Sequence, residues 1–446
     1  MSEPPLLRMP LHLLSIVLSQ LDNTTSLASA IFSHSSLFAA FSEDRDRIIR
    51  TIFRNQIPPA LLGYAFLTSR ASSPDLDRCD FDNIGNCFSD FYFDFNFGCR
   101  VREHILTSES PLDVRLVNTL SRTHAIIEHF TRDLVQDTLP LARTELGLRG
   151  KHGATDLEVF RIQRAMYCFQ VYCNLFRHPY DRPQRRRLGT VLAVYFFGEN
   201  YSPWVHEQLA CIHDYFERVL SRAFDEVAAH DVEWGYKSIN WLAVAGWNEH
   251  KQGYLFRGLD FLYELDTAKT YDERREILGD SPPRTRHMLG TTLWKDGSTR
   301  SWWDEWHYFW EYIDTVSYEK HWFRFNIISP SDDAHWSGPF RMWRIAHADC
   351  WREDIIFHLD HEWLRRCGYV LWDFPEALFT DDELRERILQ GRQKAWIDRF
   401  RRNDGQLKSR IKHSRRERAE IYKRGGRGYW SEGNLSRIVW TEGAPS

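Results

Sequence analysis

The chain has no CxxC pair among its eight cysteines, which stand at Cys79, Cys87, Cys99, Cys168, Cys173, Cys211, Cys350 and Cys367. Spread over 446 residues they form no disulfide framework, which favours a reduced, intracellular compartment in the cytoplasm and/or nucleus. Glycine and proline are scarce, at 24 and 17 residues, and this disfavours a turn-rich β architecture. Long apolar runs are missing as well. Val191 to Phe197 is the longest obvious one and falls far short of a bilayer span, so no membrane partner is expected. There is no GxxxxGK[ST], GxSxG or GxGxxG; Gly150-Lys151 lacks both the leading glycine and the hydroxyl residue. No WD, kelch or leucine-rich repeat occurs, nor any repeat of solenoid period. These absences leave no catalytic constellation and no cofactor to expect.

What is present is aromatic and helical. Hydrophobic residues make up 43%, aromatics 15% and charged residues 27%, a globular composition. The 18 Trp, 18 Tyr and 29 Phe must mostly be buried, with partners for their N–H and O–H groups. At 446 residues the chain exceeds one ordinary core and calls for two units or more. The expected fold is mainly α.

Pro10 precedes Leu13, Leu14, Val17, Leu18 and Leu21, apolar at helical spacing behind a proline at the helix start. Asp22-Asn23-Thr24-Thr25 breaks that helix and offers a cap to the next. Leu27, Ala30 and Ile31 form a second stripe, and Leu37, Phe38 and Phe41 a third. The stretch Leu7 to Phe41 resembles the F-box, the helical module that docks on the Skp adaptor of cullin–RING ubiquitin ligases. Met9-Pro10, Leu13-Leu14, Val17-Leu18, Leu21-Asp22 and Ser26-Leu27 carry the likeness. The third stripe departs from the family pattern, which usually has a basic residue and often a Trp there. In this it is similar to divergent F-box-like modules of filamentous-fungal proteins. The resemblance implies a non-catalytic substrate receptor of an SCF-type ligase. Its partners would be a Skp-type adaptor, a cullin and an unidentified protein substrate. Pro10, Leu13, Leu14, Val17, Leu18 and Leu21 would divide between the module's own core and the adaptor.

Four regions follow: an F-box-like three-helix module at 1–57, a loop-rich acidic connection at 58–110, an aromatic-rich helical domain at 111–390, and a basic helix and tail at 391–446. Ser42 is the expected cap of a helix from Glu43 to Gln56, stopped by Pro58-Pro59. Residues 68–100, with Asp75, Asp77, Asp80, Asp82, Asp90 and Asp94 among aromatics, read as loop with one short strand. Leu112 to Leu139, Leu157 to Phe176 and Trp204 to Val227 read as helices. Ile345 to Cys367 reads as one helix ended by Gly368, and Thr380 as the cap of an acidic first turn.

Signal-peptide features fail at several points. Glu3 stands where a basic flank is needed, Ser15, Ser19 and Gln20 interrupt the apolar run, and Asp22 closes it. The sequons at Asn23, Asn200 and Asn434 then have no role.

Candidate metal sites fail on spacing. Asp80-Phe81-Asp82-Asn83-Ile84-Gly85 opens like a calcium loop, but Ile84 and Phe91 occupy ligand positions five and twelve. His206-Glu207 and His361-Glu362 each begin an HExxH helix, yet Ala210 and Arg365 replace the second His. His347, Cys350, His358 and His361 cluster in sequence. On one helix Cys350 and His358 would lie about 12 Å apart along the axis, too far for one zinc ion. No metal is expected. Asp304-Glu305 and Asp332-Asp333, set among Trp302, Trp303, Trp306 and Trp336, could suit a sugar or a cation. The step Trp302, Trp306, Phe309, Trp310, Ile313 reads instead as a core-facing helix.

Between Gly391 and Arg427, fourteen Lys or Arg face four Asp or Glu, a net of +10 in a chain of −4. Arg401, Arg402, Arg415, Arg416 and Arg418 are the candidate contacts to nucleic acid or an acidic partner. Trp396, Ile397, Phe400, Leu407 and Ile411 run through the segment, so a structural amphipathic helix is the favoured reading. The tail after Gly425-Gly426 is expected to fray.

Overall fold

The computed structural model describes residues 4–73, 76, 114–148, 153–176, 203–241, 248–285, 289, 338–347, 361–375, 379–402 and 405–441. The fold is mainly α, with one two-stranded sheet among the described residues. The chain divides into two compact units, Met1–Arg132 with Met166–Leu175, and Asp133–Ala165 with Phe176–Ser446.

The first unit opens with a 3-10 turn, Pro5–Arg8, then α1 (Leu11–Ser19), α2 (Thr24–Ser33), α3 (Ser35–Glu43), α4 (Arg45–Gln56) and α5 (Leu62–Ser72). Asn23 caps α2, accepting from the Ser26 N–H at 2.8 Å. His34 caps α3, its Nδ1 accepting from the Ser36 N–H at 3.2 Å. The helix expected from Glu43 to Gln56 starts later. Glu43 ends α3 and Asp44 holds the N-cap position of α4. Helical spacing runs through both helices, so the one-residue break at Asp44 leaves no mark on the apolar pattern.

α1 packs on α3 and α4, and α2 on α3. Leu14, Leu18, Leu27, Leu37, Ala40, Ile48, Ile52 and Phe53 fill the space between them. Ser15 is buried because its hydroxyl donates to the Ala40 carbonyl at 3.0 Å. Residues 114–132 of α6 (Val114–Glu145) and 166–175 of α7 (Asp156–Phe176) complete the unit. Gln56 Nε2 donates to the Ser121 carbonyl at 3.0 Å, and the Ser121 hydroxyl returns a bond to Gln56 Oε1 at 2.5 Å. The Thr24 hydroxyl donates to Ser121 Oγ at 2.9 Å.

In the second unit α8 (Pro203–His230) is the central element. Around it lie α10 (Glu249–Leu255), α11 (Leu259–Thr267), α12 (Tyr271–Leu278), α13 (Pro339–His347) and α14 (Glu362–Arg366), with α9 (Val232–Tyr236) just beyond its end. α15 (Asp381–Arg402) packs on α13 and α14. A capping box starts α15: the Glu383 N–H donates to Thr380 Oγ1 at 3.2 Å, and Glu383 Oε2 accepts from the Thr380 N–H at 2.9 Å. Buried Arg341 ties α13 to this start, donating to Phe374 and Phe379 carbonyls at 2.8 and 2.7 Å and to Asp381.

Three expectations need correction here. α6 runs through Pro140 to Glu145, past the Leu139 end. Proline removes one backbone donor, but buried Leu139, Ala142 and Leu146 keep the last turns packed. The helix expected over 345–367 is not continuous, because α13 begins at Pro339 and α14 starts anew with His361 as its N-cap. Lastly, the glycine-rich stretch up to Trp440, expected to fray, forms a hairpin. After α16 (Gly405–Lys423), β1 (Gly426–Gly428) pairs antiparallel with β2 (Ile438–Trp440). Ile421, Trp430 and Ile438 bury themselves with Val232 as a small core of their own. Gly425 and Gly428 have φ of 87° and 94°, so glycine supplies the turn rather than flexibility.

Candidate functional site

α1 is apolar on opposite faces. Leu14 and Leu18 point into the module's core, at 0% and 2% exposure. Leu13 and Val17 lie on the other face, each 39% exposed, beside the equally bare Ile16. Steps of three and four residues place these three side by side. A helix that is hydrophobic all round is ordinarily a buried one, and here one side is bare. Of fifteen exposed large apolar or aromatic side chains among the described residues, eight fall between Leu6 and Phe38. Besides α1 they include Met9, Phe32 and Phe38, none of which the sequence reading assigned to a contact. Pro10 is exposed at the start of α1, and Leu21 is half-buried after its end. The six expected adaptor contacts thus separate into an inward pair, an outward pair, a terminal proline and a boundary leucine.

The second unit holds a closed polar cluster. α8 presents Glu207, Cys211, His213, Asp214 and Glu217 inward, all buried. Arg365 of α14 donates to Asp214 Oδ2 at 2.6 Å. His213 Nδ1 lies 3.1 Å from Asp214 Oδ1, and its Nε2 lies 3.0 Å from Gln252 Oε1. Burial alone would raise the Asp214 carboxyl, but the Arg365 charge and the His213 bond hold it well below the usual range. Glu207 is less fully compensated. Burial, with Asp214 adding to it, raises its carboxyl to about 8 against the opposing charge of Arg365. Glu207 Oε1 stands 3.5 Å from His347 Nε2, which the Tyr369 hydroxyl approaches at 3.3 Å. Burial lowers His347 to about 3, so the pair is neutral near pH 7.

The two half-motifs of the sequence meet at this place. Glu207 comes from one and His361 from the other, and the rings of His361 and His347 are 4.9 Å apart. Arg392 approaches His361 Nε2 at 3.1 Å. Cys350 and His358 lie outside the described residues, as do the calcium-like loop and the paired acids at 304–305 and 332–333. Among the described residues, no group of three or more His, Cys, Asp or Glu could hold a metal ion. The cluster's Glu207 and His347 are sealed from solvent.

The basic helix α16 uses part of its charge internally. Arg418 is fully buried, and its Nη1 donates to the Ala228 and Asp231 carbonyls at 2.8 and 2.9 Å. A cation thus closes the C-terminal end of α8, where the orphan carbonyls and the dipole favour one. Arg415 donates to the Ile239 carbonyl at 3.0 Å and lies over the Trp241 ring. Arg416 is exposed; Arg401 and Arg402 belong to α15, and their side chains lie outside the described residues. So the structure separates the candidate arginines into two internal anchors and one outward cation.

No helix of the described residues is long and apolar enough to cross a membrane. No family model matches this chain, and no curated protein or solved structure matches it.

Proposed function

We propose that the N-terminal module docks a Skp-type adaptor and that the protein recruits a substrate to a cullin–RING ubiquitin ligase. The observation that supports this reading is the bare second face of α1, Leu13, Ile16 and Val17, opposite a packed face of Leu14 and Leu18. Covering each two-fifths-exposed side chain is worth about 1 kcal/mol, and Met9, Phe32 and Phe38 of the same module are exposed as well. A surface of this kind marks a partner rather than a solvent face. The resemblance of residues 7–41 to the F-box supplies the partner's identity.

Affinity purification of the full chain tests the reading. The expected result is co-purification of the adaptor and the cullin, lost in the Leu13→Asp, Val17→Asp double variant, which alters the bare face alone. Burying an unpaired charge against an apolar partner costs enough to weaken a micromolar contact toward the millimolar range. Unchanged co-purification by a folded double variant would contradict it.

A further inference from the structure

The C-terminal hairpin and α16 build an exposed stack of a second kind. The rings of Tyr236 and Tyr422 lie 4.3 Å apart at 11°, a parallel stack. The Arg427 guanidinium covers the far face of this pair, 3.7 Å from the Tyr422 centroid. It is held there by donating to the Tyr422 and Gly426 carbonyls at 3.3 and 3.0 Å. The series therefore runs Arg427, Tyr422, Tyr236, and it ends at a ring that is 47% exposed. Nearby, the Arg424 guanidinium lies over the Trp440 ring at 5.2 Å.

Charge accompanies the stack. Lys412, Arg416 and Lys423 recur at steps of four and seven along α16 and share its outward face, on the opposite side from buried Ile411 and Arg418. The row is about 16 Å long. Lys423 pairs with Glu420 at 2.8 Å, while Lys412 and Arg416 make no ion pair among the described residues. Planar rings ending in an open face, beside a basic track, are what a single-stranded nucleic acid requires. Bases stack on the rings whatever their identity, and phosphates follow the cations. A duplex offers no unstacked base to such a platform.

We propose that Tyr236, backed by Tyr422 and Arg427, is a stacking platform for single-stranded RNA or DNA whose phosphates run along Lys412, Arg416 and Lys423. Arg415 and Arg418 take no part in it, because the fold uses them internally. The site is independent of the N-terminal docking surface.

Fluorescence anisotropy of the full chain tests it, with labelled dT16, rU16 and a 16-base-pair duplex at 50 and 200 mM salt. Both single strands should bind at least tenfold more tightly than the duplex, and a preference between the two would separate RNA from DNA as the ligand. Tyr236→Ala should weaken binding about tenfold, given the energy of one stacked base, with an unchanged melting temperature. Tyr236→Phe should bind as the parent does. Lys412→Ala with Arg416→Ala should flatten the slope of log K against log salt by about 1.4. The proposal is overturned by absence of binding at 50 mM salt, by equal affinity for the duplex, or by full affinity in Tyr236→Ala. Loss of binding in Tyr236→Phe would overturn it too, since the stack is kept there. So would displacement of the strand by polyglutamate as effective as by unlabelled dT16, which would assign the row to an acidic polypeptide.

Discussion

Arg418 and Arg416 sit two residues apart on α16 and have opposite fates. Arg418 fills the end of α8 with two charge-assisted bonds; Arg416 faces water. Arg418→Met should therefore lower stability by about 3 kcal/mol or more, since bonds to charged groups contribute about 1.5–3 kcal/mol each. Arg416→Ala should stay within about 0.5 kcal/mol of the parent. Urea unfolding of both variants checks the contrast. Titratable residues divide in the same manner. His124, buried in the first unit with its Nδ1 2.9 Å from the Tyr167 hydroxyl, is lowered by burial from 6.5 to about 4. Between those values the unfolded chain binds a proton that the folded chain refuses. Its contribution is complete above pH 6.5 and is lost as pH falls toward 4, at about 1.4 kcal/mol per pH unit. His124→Gln should remove that slope from the acid limb of a stability–pH curve. Glu207 acts in the reverse direction. Its folded carboxyl keeps a proton up to about 8 while the unfolded one loses it near 4.5, so stability falls as pH rises across that window. Glu207→Gln should abolish the loss across that window, and an unchanged curve would contradict the assignment.

Helices were legible in the sequence wherever one apolar face met one polar face for several turns. α7 and α8 fall within three residues of their expected bounds, Asp156–Phe176 against 157–176 and Pro203–His230 against 204–227. The Thr380 cap is present as expected, with Glu383 closing the box. The misses occur where a local signal is overridden by packing. Asp44 breaks a helix without breaking the apolar period, and Pro140 fails to end one because buried residues on both sides hold it. The hairpin was illegible because its glycines look like a linker. Part of what stabilises it is distant in sequence, Val232 at the start of α9, which packs with Ile421 of α16. A Cβ at Gly426 would stand 2.5 Å from Ile421 Cγ2. Gly426→Ala should therefore destabilise the second unit by about 1–3 kcal/mol, read as a lower melting temperature.

At the scale of the molecule, two surfaces carry the proposals: an apolar one on the N-terminal module and an aromatic–basic one beside the C-terminal hairpin. The first was half legible. Spacing marked Leu13, Leu14, Val17 and Leu18 as one apolar set but could not divide them, since a stripe of i, i+1, i+4, i+5 covers more than one face. The fold makes the division, through α3 and α4 packing on Leu14 and Leu18. Purified Skp-type adaptor, titrated calorimetrically into the full chain, uses that division. Leu13→Asp with Val17→Asp places two charges on the bare face and leaves the packed face intact. The account predicts micromolar or tighter binding by the parent, loss of at least a hundredfold in the double variant, and the same melting temperature for both. No binding by the parent, or parental affinity in the folded double variant, would contradict it.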